Sequence, residues 1–430
     1  MRIALVAPSP VPFVIGGAEK LWWGLQNAIH RLTPHLCELI KLPSPERNFW
    51  EILDSYRRFA QLDLTHFDRI ITTKYPAWMV HHPEHILYLQ HTLRGLYDTY
   101  PATLPRQLTK TDAPAPVRRI LRLLRAPQLD RAALPDLFGA LDELRHLDLP
   151  PELLALPGPF LREIVHTLDR IALAPREIRA YHAISRTVAQ RPDYFPPGVP
   201  ITILPHPSDL PRYEHGPGET IFTVSRLVRA KRLDLLITAY READVPVPLE
   251  IAGTGPEEDR LRRLAGDDPR IRFLGRLTDD DIIAHYARAL FVPFIPEDED
   301  MGLITLEAMR SGKPVLTVTD AGGPTEFIEH GHTGLVVEPT VPALARAIRR
   351  LVADPERTAA MGQAALERAR PIDWPAVVTP LTAPLPPRPR RRPRGLILNT
   401  FPAWPPTSGG RQRLYHLYRH LAAYADLHHL

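Results

Sequence analysis

A chain of 430 residues with one cysteine, Cys37, can form no internal disulfide and no cysteine-based zinc cage, which fits a reducing compartment. Lysine is nearly as scarce. Only Lys20, Lys41, Lys74, Lys110, Lys231 and Lys313 occur, so subtracting six from 53 Lys+Arg leaves 47 arginines. No uncharged apolar stretch approaches the ~20 residues that a membrane-spanning helix needs. The opening run from Ile3 to Ala7 is broken by Pro8 and Pro10, too early for a signal peptide's apolar core. A soluble, cytoplasmic protein is therefore expected.

What is abundant says less. Arginine and the 49 prolines look like a base-composition bias. The net charge of +4 permits an anionic partner without demanding one, and nucleic acid is not expected. Hydrophobic residues at 44% and charged residues at 24% are ordinary for a globular protein. At roughly 100–200 residues per domain the length suggests two or three units.

The run from Ile3 to Ala7, a Pro-rich loop, Gly16-Gly17 and a helical pattern at Leu21, Trp22, Leu25, Ala28, Ile29 and Leu32 read as strand, turn and helix. Parallel α/β domains open in this way. Further strand-like runs lie at 69–72, 86–89 and 201–204. Residues 101–180 are rich in Leu, Pro and Arg and helical in pattern. After a Pro/Gly-rich connection, runs at 221–224, 249–252, 271–274, 290–294, 315–318 and 334–337 alternate with helical segments, which predicts a second parallel sheet. The expected domains are 1–205 with a helical insertion at 101–180, a linker at 206–216, and 217–378. A Pro/Arg linker at 379–394 and a piece at 395–430 follow. Two open parallel sheets in tandem place a crevice at the carboxyl ends of their strands, where nucleotides usually bind.

The richest stretch is 294–339. Glu299 and Glu307 are eight apart, with Met301-Gly302-Leu303 between them, and Ile304 to Met309 reads as a helix start. A helix N-terminus offers free N–H groups to phosphate, and a glutamate one turn in can accept from ribose hydroxyls. On spacing alone the plainer reading prevails: a loop carboxylate and a first-turn helix charge. The neighbouring motifs reverse it. Ala308-Met309, Ser311-Gly312-Lys313-Pro314-Val315 and Gly322-Gly323-Pro324 follow the glutamates. Upstream stand Gly16-Gly17-Ala18-Glu19-Lys20, Thr73-Lys74-Tyr75-Pro76 and Gln90-His91-Thr92. Ser225-Arg226-Leu227 with Lys231 five residues after Arg226, Ala252-Gly253-Thr254-Gly255-Pro256 and Phe273-Leu274-Gly275 complete the order.

Together these resemble the retaining glycosyltransferases of family 4, which have the two-domain GT-B fold; the resemblance covers about residues 1–378. It implies an α/β chain of two Rossmann-like domains, the first taking the acceptor and the second a nucleotide-sugar. By the resemblance, Arg226 and Lys231 hold the donor diphosphate, Glu307 the ribose and Glu299 the donor sugar. Backbone N–H groups of Met301, Gly302, Leu303 and Ile304 meet sugar and phosphate. Gly16 and Gly17 let the first-domain loop approach the diphosphate, Gly253 and Gly255 line the nucleotide side, and His91 lies beside the sugar. The alternative for His91 is a satisfied structural histidine. Arg276 follows Gly275, where the family usually touches the base, so the base stays open among uridine, guanosine and adenosine. No metal or other cofactor is implied. The implied pathway is cell-envelope or exopolysaccharide assembly, on a saccharide or lipid-linked acceptor. Two rivals remain: a nucleotide-sugar epimerase or phosphorylase of the same fold, and a non-catalytic nucleotide-sugar-binding module.

Two patterns mimic metal sites. Asp298-x-Asp300 and Asp279-x-Asp281 match an Asp-x-Asp metal motif, but the first lies inside the two-glutamate stretch and the second in an acidic helix start. His81-His82-Pro83-Glu84-His85 matches an H-x-x-E-H zinc pattern, which Pro83 disfavours by breaking the helix that must align both histidines. The segment from Val117 to Arg125 sets Arg118, Arg119, Arg122 and Arg125 against Ile120, Leu121, Leu123 and Leu124. It fits either a peripheral anchor on an anionic membrane, at its inner face, or a solvated domain face over a buried leucine stripe.

At the C-terminus, Gly395-Leu396-Ile397-Leu398 and Gly409-Gly410-Arg411-Gln412-Arg413-Leu414-Tyr415 line up with Ile3-Ala4-Leu5-Val6 and Gly16-Gly17-Ala18-Glu19-Lys20-Leu21-Trp22. Residues 395–430 therefore read as the truncated start of a second glycosyltransferase-like module, one strand and one helix long. The other reading is a closing helix of the first.

Overall fold

The computed structural model describes residues 1–13, 16–109, 113–127, 129–387, 394–397, 404–421 and 426–429. It divides into two units, 1–383 and 384–430.

In the first unit, β1 (Arg2–Ser9), β2 (Leu36–Pro43), β3 (Arg69–Lys74), β4 (His85–His91), β5 (Ala180–Ala183) and β6 (Ile201–Ile203) form a parallel sheet in the order β2-β1-β3-β4-β5-β6. Then β7 (Thr220–Val224), β8 (Leu249–Ala252), β9 (Ile271–Gly275), β10 (Ala289–Pro293), β11 (Val315–Val318) and β12 (Gly334–Val337) form a second parallel sheet in the order β12-β11-β10-β7-β8-β9. Strands covered on both faces read as unbroken apolar runs rather than alternations. Ile3, Ala4, Leu5, Val6 and Ala7 are accordingly all inaccessible to solvent. The strand order reverses between β1 and β3 in one sheet and between β7 and β10 in the other. In open parallel sheets ligands bind at such reversals.

In the first sheet domain, α1 (Gly17–Leu32) and α2 (Phe49–Ala60) flank β2, and α3 (Ala115–Leu124), α4 (Leu134–Leu144) and α5 (Pro159–Ala172) lie between β4 and β5, before the short α6 (Arg186–Gln190). In the second, α7 (Leu233–Ala243), α8 (Glu258–Ala265) and α12 (Val341–Ala353) share one apolar core with the strands. The remaining helices are α9 (Asp279–Arg288), α10 (Leu303–Arg310), α11 (Pro324–Phe327), α13 (Pro355–Ala369) and α14 (Trp374–Thr382).

Helix α14 returns to the first sheet domain. It packs on α1, where a Cβ on Gly24 would lie 2.3 Å from Trp374 Cζ2, so only glycine admits the indole. Arg69 Nη1, buried on β3, donates to the carbonyls of Leu381 and Ala383 at 3.0 and 2.9 Å. The expected limit of the second domain at residue 378 thus falls inside a helix that serves the first. The chain passes between the two sheets twice, once near Ser208 and once at Asp373.

The second unit pairs β13 (Arg394–Ile397) in parallel with β14 (Asp426–His429) across α15 (Gly409–Leu421). The piece is therefore strand, helix, strand rather than strand and helix. Leu398 and residues 388–393 of the Pro/Arg linker lie outside the described residues.

Candidate functional site

On the second sheet domain the crevice end is built by close backbone contacts that only glycine allows. The 298–302 loop lies against the Gly322-Gly323 turn: Glu299 N–H donates to the Ala321 carbonyl at 2.9 Å and Gly323 N–H to the Glu299 carbonyl at 2.8 Å. Gly302, at φ +81°, caps α10, and a Cβ there would meet the Pro324 and Phe294 rings at 2.7 and 2.9 Å. Met301 and Gly302 are buried, while Leu303 and Ile304 at the helix start are partly exposed. The first-turn N–H groups of Leu303 and Ile304 have no intrahelical acceptor and carry the helix's positive end. Gly253 and Gly255 let their loop pack onto 225–227: Leu227 N–H donates to the Thr254 carbonyl at 3.0 Å, and Cβ atoms on the two glycines would overlap the Ser225 and Leu227 carbonyl oxygens.

The charged candidates differ in how they are held. Arg226, just past β7, is exposed and has no ion pair among the described residues. Lys231 is ion-paired with Glu299 and lies over the Phe294 ring, 5.2 Å from its centroid. Glu307, nearly buried on α10, accepts from Ser208 Oγ at 2.5 Å and from the Tyr286 hydroxyl at 2.9 Å. Ser208 belongs to the connection between the sheets, so this carboxylate is oriented by both a helix and a linker. The sequence motifs did not point to Ser208 or Tyr286.

The first sheet domain supplies the opposing wall. Gly16 caps α1, with its N–H donating to Glu19 Oε2 at 2.9 Å. A Cβ on Gly17 would lie 3.8 Å from Leu303 Cδ1, so the starts of α1 and α10 meet across the crevice. Lys20 Nζ pairs with Asp279 of α9 at 2.9 Å. His91 ends β4. Burial, with Lys74 adding to it, lowers its pKa to about 3, so the ring is neutral near pH 7. Its Nδ1 is 2.8 Å from the Thr92 carbonyl, which only accepts. The proton is therefore on Nδ1, and Nε2 is the bare nitrogen that can accept from a hydroxyl.

An arginine–aspartate cluster that no local motif foreshadows links the two sheet domains. Arg191 Nη1 reaches Asp98 and Asp298 at 2.6 and 2.7 Å, and its Nη2 lies 2.9 Å from Asp300. Arg94 pairs with the same Asp98 and Asp298, both at 2.7 Å. Glu326, at the start of α11, adds bonds from the N–H groups of Arg186 and Thr187 at 2.8 and 2.6 Å. The Asp298-x-Asp300 pattern is thus taken up by guanidinium groups. The histidines of the zinc-like pattern go separate ways, His81 to Glu177 and His85 to Thr72.

The basic segment forms α3, with Val117, Ile120, Leu121 and Leu124 buried against α4 and α5. Its apolar stripe is therefore covered by protein. Arg119 pairs with Glu143, and Arg125 makes two bonds to Glu163 at 2.9 and 2.7 Å.

Residues 212–368 match the family model for glycosyl transferases group 1. The chain is 33% identical over 228 residues to the GDP-mannose-dependent alpha-(1-6)-phosphatidylinositol monomannoside mannosyltransferase of Mycobacterium tuberculosis, a match covering 48% of this chain and 58% of that protein. It is 31% identical over 231 residues to the D-rhamnosyltransferase WbpZ of Pseudomonas aeruginosa, covering 51% and 59%. The chain thus spans little more than half the length of these curated relatives. Among solved structures it is similar to sucrose-phosphate synthase from Thermosynechococcus elongatus, at a TM-score of 0.57 and 15% identity over 98% of this chain and 99% of that one. It is also similar to Anabaena HepE in complex with UDP and glucose, at 0.53 and 19% over 89% and 98%. The chain has the GT-B fold, two Rossmann-like domains facing one crevice, and its second half carries a glycosyl transferases group 1 domain.

Proposed function

We propose that the chain transfers a sugar, with retention of anomeric configuration, from a nucleoside-diphosphate sugar to a saccharide or lipid-linked acceptor in cell-envelope or exopolysaccharide synthesis. The observation that carries this reading is the Lys231–Glu299 ion pair just before the start of α10, the helix that holds Glu307, within the stretch that matches the family model; Arg226 stands in the same stretch, just past β7. The name of the mannosyltransferase relative makes GDP-mannose the first donor to try.

In this reading the acceptor oxygen attacks the anomeric carbon on the face from which the phosphate leaves. The bond from that carbon to the phosphate oxygen breaks, and the acceptor's proton passes to the departing phosphate. Arg226 and the N–H groups of Leu303 and Ile304 meet the charge that grows on the diphosphate, where fixed donors in a water-poor crevice act most strongly. Lys231 shares itself between that charge and Glu299, whose carboxylate orients donor sugar hydroxyls. Glu307 accepts from the ribose with the lone pairs that Ser208 and Tyr286 leave. His91 Nε2 accepts from a sugar hydroxyl. None of these steps calls on a metal.

Thermal unfolding with UDP, GDP, ADP and their sugars tests the reading. A ligand at 100 times its Kd adds about 2.7 kcal/mol of stability. Stabilisation by one nucleotide and transfer of its sugar are expected. Nucleotide binding without transfer to any acceptor would make this a binding module, and no stabilisation by any nucleotide would end the proposal.

We further read 384–430 as a repeat of the opening unit. Helix α15 starts 15 positions after the first residue of β13 (394 to 409), as α1 does after that of β1 (2 to 17), and each helix joins two parallel strands. Deleting 384–430 should then leave nucleotide binding unchanged.

A further inference from the structure

Lys41 lies on β2 opposite Ala7 of β1, and Lys74 closes β3 on the other side of β1. The two lysines therefore flank the carboxyl end of β1, at the strand-order reversal of the first sheet. Lys41 Nζ lies over the Phe13 and Trp22 rings, 4.6 and 5.1 Å from their centroids, and Lys74 Nζ lies 5.2 Å from the Tyr75 centroid. Tyr75 in turn packs its ring on His91 at 5.8 Å. Among the described residues neither ammonium is ion-paired. The carboxylate acting on Lys41 is Glu19, which already accepts from Gly16 N–H. Burial lowers the Lys41 pKa, and Lys74 lowers it further, so the two charges oppose each other.

Two partly buried ammonium groups that repel, each over aromatic faces and neither ion-paired among the described residues, are held ready for an anion, although Glu19 attracts Lys41 and Glu46 lies at Tyr75, beside Lys74. Each brings three donors on a compact charge, suited to a tetrahedral, multiply charged group. The choice of residue is informative in a chain with six lysines against 47 arginines (53 less six). The donor's phosphates already have Arg226 and Lys231 on the other domain. We propose that Lys41 and Lys74 form a subsite for a phosphate group carried by the acceptor, beside His91. Phe13, which is 54% exposed, flanks the way in. This assignment rests on the glycosyltransferase reading for the word acceptor, and on the lysines alone for the phosphate.

The test uses the full chain. Calorimetry first titrates UDP and GDP into wild type, which checks the donor site by itself. Inorganic phosphate is then titrated into nucleotide-saturated wild type, the Lys41→Gln/Lys74→Gln variant and the charge-keeping Lys41→Arg/Lys74→Arg variant. The glutamine variant should bind phosphate at least ~10-fold more weakly and nucleotide unchanged, with the arginine variant close to wild type. Equal phosphate binding in wild type and the glutamine variant would overturn the subsite. So would loss of nucleotide binding in that variant, which would move both lysines to the donor. If wild type binds no nucleotide yet binds phosphate through these lysines, the proposed function fails and the subsite stands. Vesicles of phosphatidylcholine with and without phosphatidylinositol separate the sources. Lysine-dependent retention on the inositol lipid identifies a headgroup, and phosphate binding without retention identifies a soluble phosphorylated acceptor. Neither phosphate binding nor retention by wild type would overturn the proposal.

Discussion

Arg94 and Arg191 are enclosed by Asp98, Asp298 and Asp300, whereas Lys41, Lys74 and Arg226 have no carboxylate paired with them among the described residues. Both sets of cations belong to the loops and strand ends that border the crevice, yet their surroundings assign them different work. A guanidinium that is 5% exposed and shared among three aspartates has its charge satisfied and joins two domains. A cation left over aromatic rings or toward solvent keeps its charge for something else. Lys231 is intermediate, since one glutamate holds it at the site where the donor is expected.

The sharpest way to break this contrast is Arg191→Met. Removing one partner of a buried pair leaves the other charges uncompensated, at a cost of about 3–5 kcal/mol. A urea midpoint lowered accordingly is expected. An unchanged midpoint would mean that the cluster contributes no more than a surface ion pair. Next in size, alanine at Arg226 or Lys231 should slow sugar transfer at least ~10²-fold, the loss typical of a transition-state donor. The two should differ in stability: Arg226→Ala melts like wild type, while Lys231→Ala uncovers Glu299. Turnover near wild type in both variants would remove them from the mechanism. Glu307→Gln should weaken nucleotide binding by roughly 1.5–3 kcal/mol in calorimetry, the worth of a charge-assisted hydrogen bond. An unchanged affinity would make Glu307 a partner of Ser208 and Tyr286 only. The smallest expected effect belongs to His91. Its pKa is lowered, so protonation is deferred to about pH 3, and the pH–rate profile should show no inflection from it near its ordinary 6.5. An inflection there that vanishes in His91→Gln would contradict the neutral ring.

Much of the fold was legible because doubly covered strands such as Ile3 to Ala7 read as plain apolar runs between turn signals. The glycines were legible as punctuation, but not the contacts that require them, which involve partners as distant as Gly302 and Pro324 or Gly24 and Trp374. The Arg94–Asp298 bond joins residues 204 positions apart, and no local pattern marks which of many arginines will be enclosed. The place of Asp298-x-Asp300 inside the two-glutamate stretch argues against a metal motif, but nothing local shows which guanidinium groups take it up. Periodicity found the stripe from Ile120 to Leu124 but could not tell whether protein or lipid covers it; the packing of α4 and α5 decides that. The return of α14 was hidden because a helix boundary carries no label for the domain it joins.

That return has a mechanical consequence. With α14 fastened to α1 by Trp374 and to β3 through Arg69, the polypeptide crosses between the two sheet domains at two places, near Ser208 and near Asp373. Two adjacent crossings act as a door hinge, permitting rotation about the line joining them and resisting twist. Opening along that line would part Lys20 from Asp279 and draw Arg94 and Arg191 away from Asp298, while Gly24 and Trp374 stay seated. Ser208, which donates to Glu307, lies at one of the two crossings, so the carboxylate expected to meet the ribose is tied to the line about which such a rotation would run.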